Sequence, residues 1–121
     1  MMHQPIALFQ VNTLQEGEAR GLDPQQTGQQ TLLAVRYSGK LYLWRNNCPH
    51  QNVPMNWQRD AFLNAKGNKI MCFAHGALFE PDSGLCIQGA CYGQRLTPVD
   101  FAINTEGWVT IRDPKDETGN P

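Results

Sequence analysis

Two short stretches constrain this chain more than anything else in it. The first is "NNCPHQN", residues 46 to 52, which sets Cys48 and His50 one residue apart with Pro49 between them. The second is "CFAHG", residues 72 to 76, which carries Cys72 and His75. The pattern is therefore Cys48-x-His50, then 21 residues from 51 to 71, then Cys72-x-x-His75. Each stretch offers one soft thiolate and one imidazole, and the Asn and Gln residues around the first mark it as loop. Two such loops can share a metal centre only if the fold brings together the strands that precede them. The redox argument agrees, because spaced cysteines in the cytoplasm are more often metal ligands or catalytic groups than disulfides.

Two centres compete for these ligands. A structural zinc would accept two Cys and two His. A gap of one residue is tight for two ligands on one ion, however, and zinc sites more often use gaps of two to four. A two-metal centre relaxes the constraint, since Cys48 can bind one iron and His50 the other. That is the ligand set of the cluster in which two histidines replace two cysteines on one iron.

The rest of the chain reads as short strands punctuated by turns. "IALFQVNTL" opens as a strand. "TLLAVRYSGKLYLWRNN" contains two β-rich runs around "SGK", a hairpin with a Gly turn. "AFLNAKGNKIMCF" repeats the plan around "KGN", and "LTPVDFAINTEGWVTIRD" repeats it around "TEG". "GALFEPDSGLCI" turns at "PDSG", where Pro81 presets its dihedral and Gly84 can take positive φ. "DPQQTGQQ", residues 23 to 30, is expected as a surface loop. Strands of this length and spacing imply a small all-β sandwich or barrel. The expected core is Leu33, Val35, Leu41, Leu43, Trp44, Phe101, Ile103, Trp108, Val109 and Ile111, with the three tryptophans as core or cover.

At 121 residues the chain has room for one domain, expected over 1–112, followed by a polar flexible tail over 113–121. Ten basic against eleven acidic side chains give a formal charge of −1. No basic stripe exists to neutralise phosphates, which argues against nucleic acid. No apolar run approaches the roughly 18 residues of a membrane span. "MMHQPIALFQ" has neither a basic start nor an apolar core of signal length, so a cytoplasmic protein is expected.

With "CPH" followed by "CFAHGALF" and "SGLCIQG", the chain resembles the Rieske-type [2Fe-2S] domain family from about residue 5 to residue 112. The resemblance implies an all-β fold of stacked antiparallel sheets with a small cluster-binding subdomain, here about residues 46–93. It implies that Cys48 and Cys72 hold the inner iron while His50 and His75 hold the outer one, with both imidazole edges towards solvent. The 21-residue spacer is longer than is common in the family. High-potential members carry a Ser and a Tyr two and four residues after the second ligand His. Here Ala77 and Phe79 stand there, and neither can donate an O–H. Such members also staple the two loops with extra cysteines, where this chain has Val53 and Ala74. The expectation is a midpoint near the low end of the roughly −150 to +300 mV range of such centres. The exposed histidine ligands imply a potential that falls at alkaline pH as a ring proton is lost. Gly76 is expected to let the backbone approach the cluster and offer N–H groups to sulfur.

Cys86 and Cys91 lie in "LCIQGACYG", matching the loop that covers the cluster in this family, with Gly89, Ala90 and Cys91 where a proline is usual. They are read as two small buried residues or as a short local disulfide, not as ligands. Pro49, Val53, Pro54, Met55, Trp57 and Phe73 are expected to shield the cluster or to form an apolar rim.

The implied function is a one-electron carrier, monomeric when free. It would take electrons from a flavin-dependent reductase and pass them to a terminal enzyme such as a Rieske non-haem iron oxygenase. The chain cannot be that oxygenase, whose second iron needs two further histidines and a carboxylate, because only His3 remains. The alternatives are a small Rieske subunit of a nitrite-reductase-like enzyme and a structural zinc or interaction module.

Overall fold

The computed structural model describes residues 5–49 and 51–112. The expected tail at 113–121, and His50, lie outside the described residues. The fold is all-β, with nine strands and one short 3-10 turn, η1 (Val11–Thr13), among the described residues. The strands form three antiparallel sheets of three. The first joins β1 (Ile6–Gln10), β9 (Trp108–Ile111) and β8 (Ala102–Ile103), in that order. The second joins β2 (Ala19–Leu22), β3 (Leu32–Tyr37) and β4 (Lys40–Arg45), and the third joins β5 (Ile70–Cys72), β6 (Ala77–Phe79) and β7 (Cys86–Gln88).

The β2-β3-β4 sheet lies between two apolar layers, and strand alternation explains how. On β3, Leu33 and Val35 enter one cluster of buried side chains, while Leu32 and Ala34 enter the other. On β4, Trp44 goes with the first and Leu43 with the second. A continuous apolar run such as "LLAV" is what a strand covered on both faces requires. The first layer continues into the β5-β6-β7 sheet through Ile70, Cys72, Ala77, Phe79 and Cys86. The second continues into the β1-β9-β8 sheet through Phe9, Val109 and Ile111.

The turns follow their residues. Ser38 and Gly39 both take positive φ, 52° and 78°, between paired Tyr37 and Lys40, which is the two-residue type I′ hairpin. The "PDSG" turn closes with the Gly84 N–H donating to the Glu80 carbonyl at 2.8 Å. Gly84 is needed twice there: its φ is +72°, and a Cβ would lie 2.8 Å from the Trp44 ring. The Trp44 indole N–H then donates to the Pro81 carbonyl at 3.0 Å, locking that turn onto the central sheet.

Several expectations are corrected. Phe101, Ile103 and Trp108 are not core: they are 36%, 48% and 37% exposed. On β9 the alternation turns Val109 and Ile111 inward, leaving Trp108 on the outer face of a sheet covered on one side only. Trp57 is 63% exposed, so of the three tryptophans only Trp44 is buried. Leu41 is half-buried at the edge of the second layer. The first strand stops at Gln10, where η1 begins. The Gln-rich stretch is surface loop except at its end, because Gln30 is buried. The strand β2, "ARGL", had no alternating apolar signal to announce it. It pairs with β3 from Ala19↔Val35 to Leu22↔Leu32, and Gly21 leaves the space that the Gln30 side-chain amide fills.

Candidate metal centre

The first loop leaves β4 at Arg45 and is held by one side chain. Asn46, buried, accepts the Met55 N–H on Oδ1 at 2.8 Å. Its Nδ2 donates to the Gln30 carbonyl at 2.7 Å and to Asn56 Oδ1 at 2.8 Å. Gln30 Nε2 in turn donates to Asp60 Oδ1, and the Asp60 N–H donates to Gln30 Oε1. Every member of this polar group is satisfied, so it fixes the loop rather than costing stability. Between Asn46 and Met55 the chain folds back on itself, with the Cys48 N–H on the Val53 carbonyl (2.8 Å) and the Asn52 N–H on the Cys48 carbonyl (2.7 Å). Asn52 takes φ 56°, a conformation asparagine tolerates better than most side chains.

The second loop is the turn between β5 and β6. The Gly76 N–H donates to the Cys72 carbonyl at 2.7 Å and Gly76 has φ 73°. A Cβ there would meet nothing within 4 Å. Gly76 is thus required by the turn, and its own N–H is spent on the Cys72 carbonyl rather than offered to sulfur. The His75 N–H points to the same carbonyl at 3.2 Å, and against the larger, upward effect of burial the backbone amides of this turn lower the Cys72 thiol pKa somewhat. The two loops are stitched together by the Phe73 N–H donating to the Met55 carbonyl at 2.9 Å.

The result is a convergent donor set. Cys48 Sγ, Cys72 Sγ and a ring nitrogen of His75 lie within 4.8 Å of one another. Both cysteines are fully buried, whereas His75 is exposed. Cys72 Sγ is 3.6 Å from His75 Nδ1, and His75 Nε2 is 3.1 Å from Gln51 Oε1 in the first loop. Three of the four expected ligands are therefore brought together, and the fourth, His50, lies outside the described residues. Burial and the neighbouring Cys48 thiol push the Cys72 thiol upward. A thiol so placed stays protonated on its own, so metal binding would have to displace its proton. Ala77 sits directly opposite Cys72 in the β5–β6 ladder, and Ala77 and Phe79 are both buried.

The third loop covers the same core. Cys86 and Cys91 are free thiols, with Cys91 Sγ donating to Cys86 Sγ at 3.0 Å and Cys86 Sγ donating to the Gln88 carbonyl at 3.3 Å. Gly89, φ 112°, packs so closely that a Cβ would lie 2.9 Å from Ala77 Cα. Neither thiol joins the donor set. Of the expected apolar rim, Met55 is buried, Val53 and Phe73 are half-buried, and Trp57 stands out in solvent 6.2 Å from the Phe73 ring.

Comparisons with known proteins agree with this geometry. The profile of the Rieske [2Fe-2S] domain matches residues 4–103. The chain belongs to the Rieske [2Fe-2S] domain family, and its cofactor is one [2Fe-2S] cluster, which sets the zinc reading aside. Among solved structures it is similar to a ferredoxin of Sphingomonas yanoikuyae B1, at 24% identity and a TM-score of 0.65 over 92% of this chain and 100% of that one. It is also similar to the ferredoxin of carbazole 1,9a-dioxygenase from Nocardioides aromaticivorans IC177, at 16% identity and a TM-score of 0.63 over 92% and 100% of the two chains. A third similar chain comes from a complex of reduced oxygenase and oxidized ferredoxin in carbazole 1,9a-dioxygenase (19% identity, TM-score 0.65, 89% and 92% covered). These likenesses establish the fold. No curated protein matches the sequence.

Proposed function

We propose that this protein is a one-electron carrier whose cluster is held by Cys48, His50, Cys72 and His75. It passes electrons from a flavin-dependent reductase to a terminal oxygenase, in the cytoplasm. The observation that carries the reading is the split in burial across the donor set. The two thiols are sealed in the core, and the His75 imidazole stands at the surface. An iron on the cysteine side would be insulated, and an iron on the histidine side would lie one imidazole from a docked partner. The cluster supplies the one-electron couple. The chain's own residues hold it, exclude water from the sulfur side through Met55, Phe62 and Phe79, and leave a ring edge outward.

The low-potential assignment rests on what surrounds the sulfurs. Ala77 and Phe79 bring no hydroxyl to the sulfurs, so the extra donors that favour the added electron are missing at those two positions. The oxygenase as acceptor is supported by the company of similar folds, two of which come from a carbazole dioxygenase system. Among the described residues no helix is long and apolar enough to cross a membrane.

Iron and acid-labile sulfide analysis tests the centre: two of each per chain are expected, with a red-brown colour that bleaches on reduction. Cys48→Ser should abolish or cripple the cluster, and a variant with full iron and sulfide content would overturn the ligand set. A redox titration giving a midpoint well above zero would sink the low-potential assignment. A pull-down from the native source identifies the partner, with an oxygenase component expected and a large nitrite-reductase-like subunit as the contrary result.

A further inference from the structure

The sequence leaves the two cluster loops without a covalent staple, since Val53 and Ala74 stand where other members carry cysteines. The backbone bond from Phe73 to Met55 ties the loops on the inner side. On the outer side the tie is a side chain: His75 Nε2 lies 3.1 Å from Gln51 Oε1, three residues along from Cys48 and in the opposite loop. An amide oxygen can only accept, so this contact requires the proton on Nε2. Nδ1 is then left with its lone pair, and Nδ1 is the nitrogen that faces the Cys72 sulfur at 3.6 Å. The second ring nitrogen of a metal-bound histidine sets tautomer and ring orientation through the bond it makes.

We propose that Gln51 is the positioning residue for His75: its side-chain oxygen closes the outer side of the two-loop clamp and presents Nδ1 to the cluster. This rests on the reading that His75 is a ligand. Gln51 is exposed, so it contributes nothing to the core, and replacing it does not disturb the packing beneath. It also covers the edge of the imidazole from which an electron would leave. A docking partner must therefore either meet the Gln51 amide or displace it.

The holoprotein, Gln51→Leu and Gln51→Glu are compared by three readouts. Pulsed electron paramagnetic resonance of the reduced cluster resolves the couplings of the histidine nitrogens. Absorbance follows cluster loss, and redox titration gives the midpoint against pH. Gln51→Leu removes the acceptor and should broaden or split the coupling from one histidine. It should speed cluster loss roughly three- to tenfold, the equivalent of one exposed hydrogen bond, and start the alkaline fall in potential at lower pH. Gln51→Glu keeps an oxygen acceptor and should restore a single sharp coupling, with the alkaline fall moved to higher pH. If Gln51→Leu keeps the wild-type couplings and pH profile, the positioning role is overturned while the ligand reading stands. If Gln51→Glu behaves like Gln51→Leu, a specific acceptor role is also overturned. Absence of histidine coupling from the wild type would instead overturn the ligand reading, and the proposal with it.

Discussion

On one face of the central sheet, Leu33, Val35 and Trp44 pack against Met55, Phe62, Phe79 and all four cysteines. On the other, Leu32, Ala34 and Leu43 pack against Phe9, Leu14, Val109 and Ile111, with no thiol among them. The same two strands supply both layers, so hydrophobic burial alone does not distinguish them. What differs is the far wall. The second layer is closed by a sheet that covers it and otherwise faces solvent. The first is closed by the short β5-β6-β7 sheet together with three loops, whose backbone positions set where two sulfurs and an imidazole sit. Packing on that side therefore holds geometry as well as stability.

Matched truncations should expose the difference, and they carry the largest expected effects. Phe62→Ala and Phe9→Ala each remove a buried phenyl ring, at a cost of about 3–5 kcal/mol of folding stability. Phe62 lies beside β5, its carbonyl accepting the Met71 N–H one residue before Cys72. Phe62→Ala should accordingly lose its cluster faster at a temperature where it is still folded. Phe9→Ala, whose ring packs beneath the Arg20 guanidinium, should keep a wild-type visible spectrum up to its own unfolding transition. Thermal unfolding followed together by circular dichroism and visible absorbance makes the comparison. Equal uncoupling of cluster and fold in the two variants would mean that the layers do not differ as argued.

The parts of this structure that sequence could announce are those set by local chemistry. "SGK" between two β-branched and aromatic runs yields the type I′ hairpin, because Gly39 and Ser38 can both take positive φ. The Cys/His pairs pointed to a shared centre, and the fold brings Cys48, Cys72 and His75 within 4.8 Å of one another. What stayed hidden depends on distant partners. β2 forms because Gly21 makes room for the side chain of Gln30, from a different loop. Phe101, Ile103 and Trp108 look like core in an alternating strand, but alternation does not say which face is covered. Asn46, Gln30, Asn56 and Asp60 read separately as loop polarity, and only the fold shows that together they anchor the loop that carries Cys48. Gln51 is equally silent until His75 is placed beside it.

A smaller effect is expected inside the cluster-side layer. Ala77 stands across the ladder from Cys72 and is buried, so Ala77→Ser sets a hydroxyl beside the sulfur side of the centre. A hydrogen bond to sulfur favours the reduced state, and the midpoint should rise by tens of millivolts. The site is tight, with Gly89 packed against the Ala77 backbone, and some stability should be lost with the gain in potential. Ala102→Ser, at an exposed position in the β1-β9-β8 sheet, should move neither quantity and serves as the control. A rise in potential for both variants would point to a bulk effect rather than to the sulfur.

The smallest effect separates the two layers by pH. The Cys91 thiol is pushed up from near 9 to about 12, by burial first and then by its bond to Cys86. In the unfolded chain that thiol ionises near pH 9, whereas in the folded protein it keeps its proton. Its contribution to stability is therefore whole below pH 9 and declines as pH rises towards 12. One proton sets a ceiling of about 1.4 kcal/mol per pH unit on the slope. Cys91→Val removes the titrating group and should flatten the alkaline decline relative to wild type, read as the difference in unfolding midpoints between pH 7.5 and about 10. Val109→Ala, in the layer without thiols, should lower stability by the same amount at both pH values. If Cys91→Val declines as steeply as wild type, the alkaline sensitivity of this protein originates in a group other than Cys91.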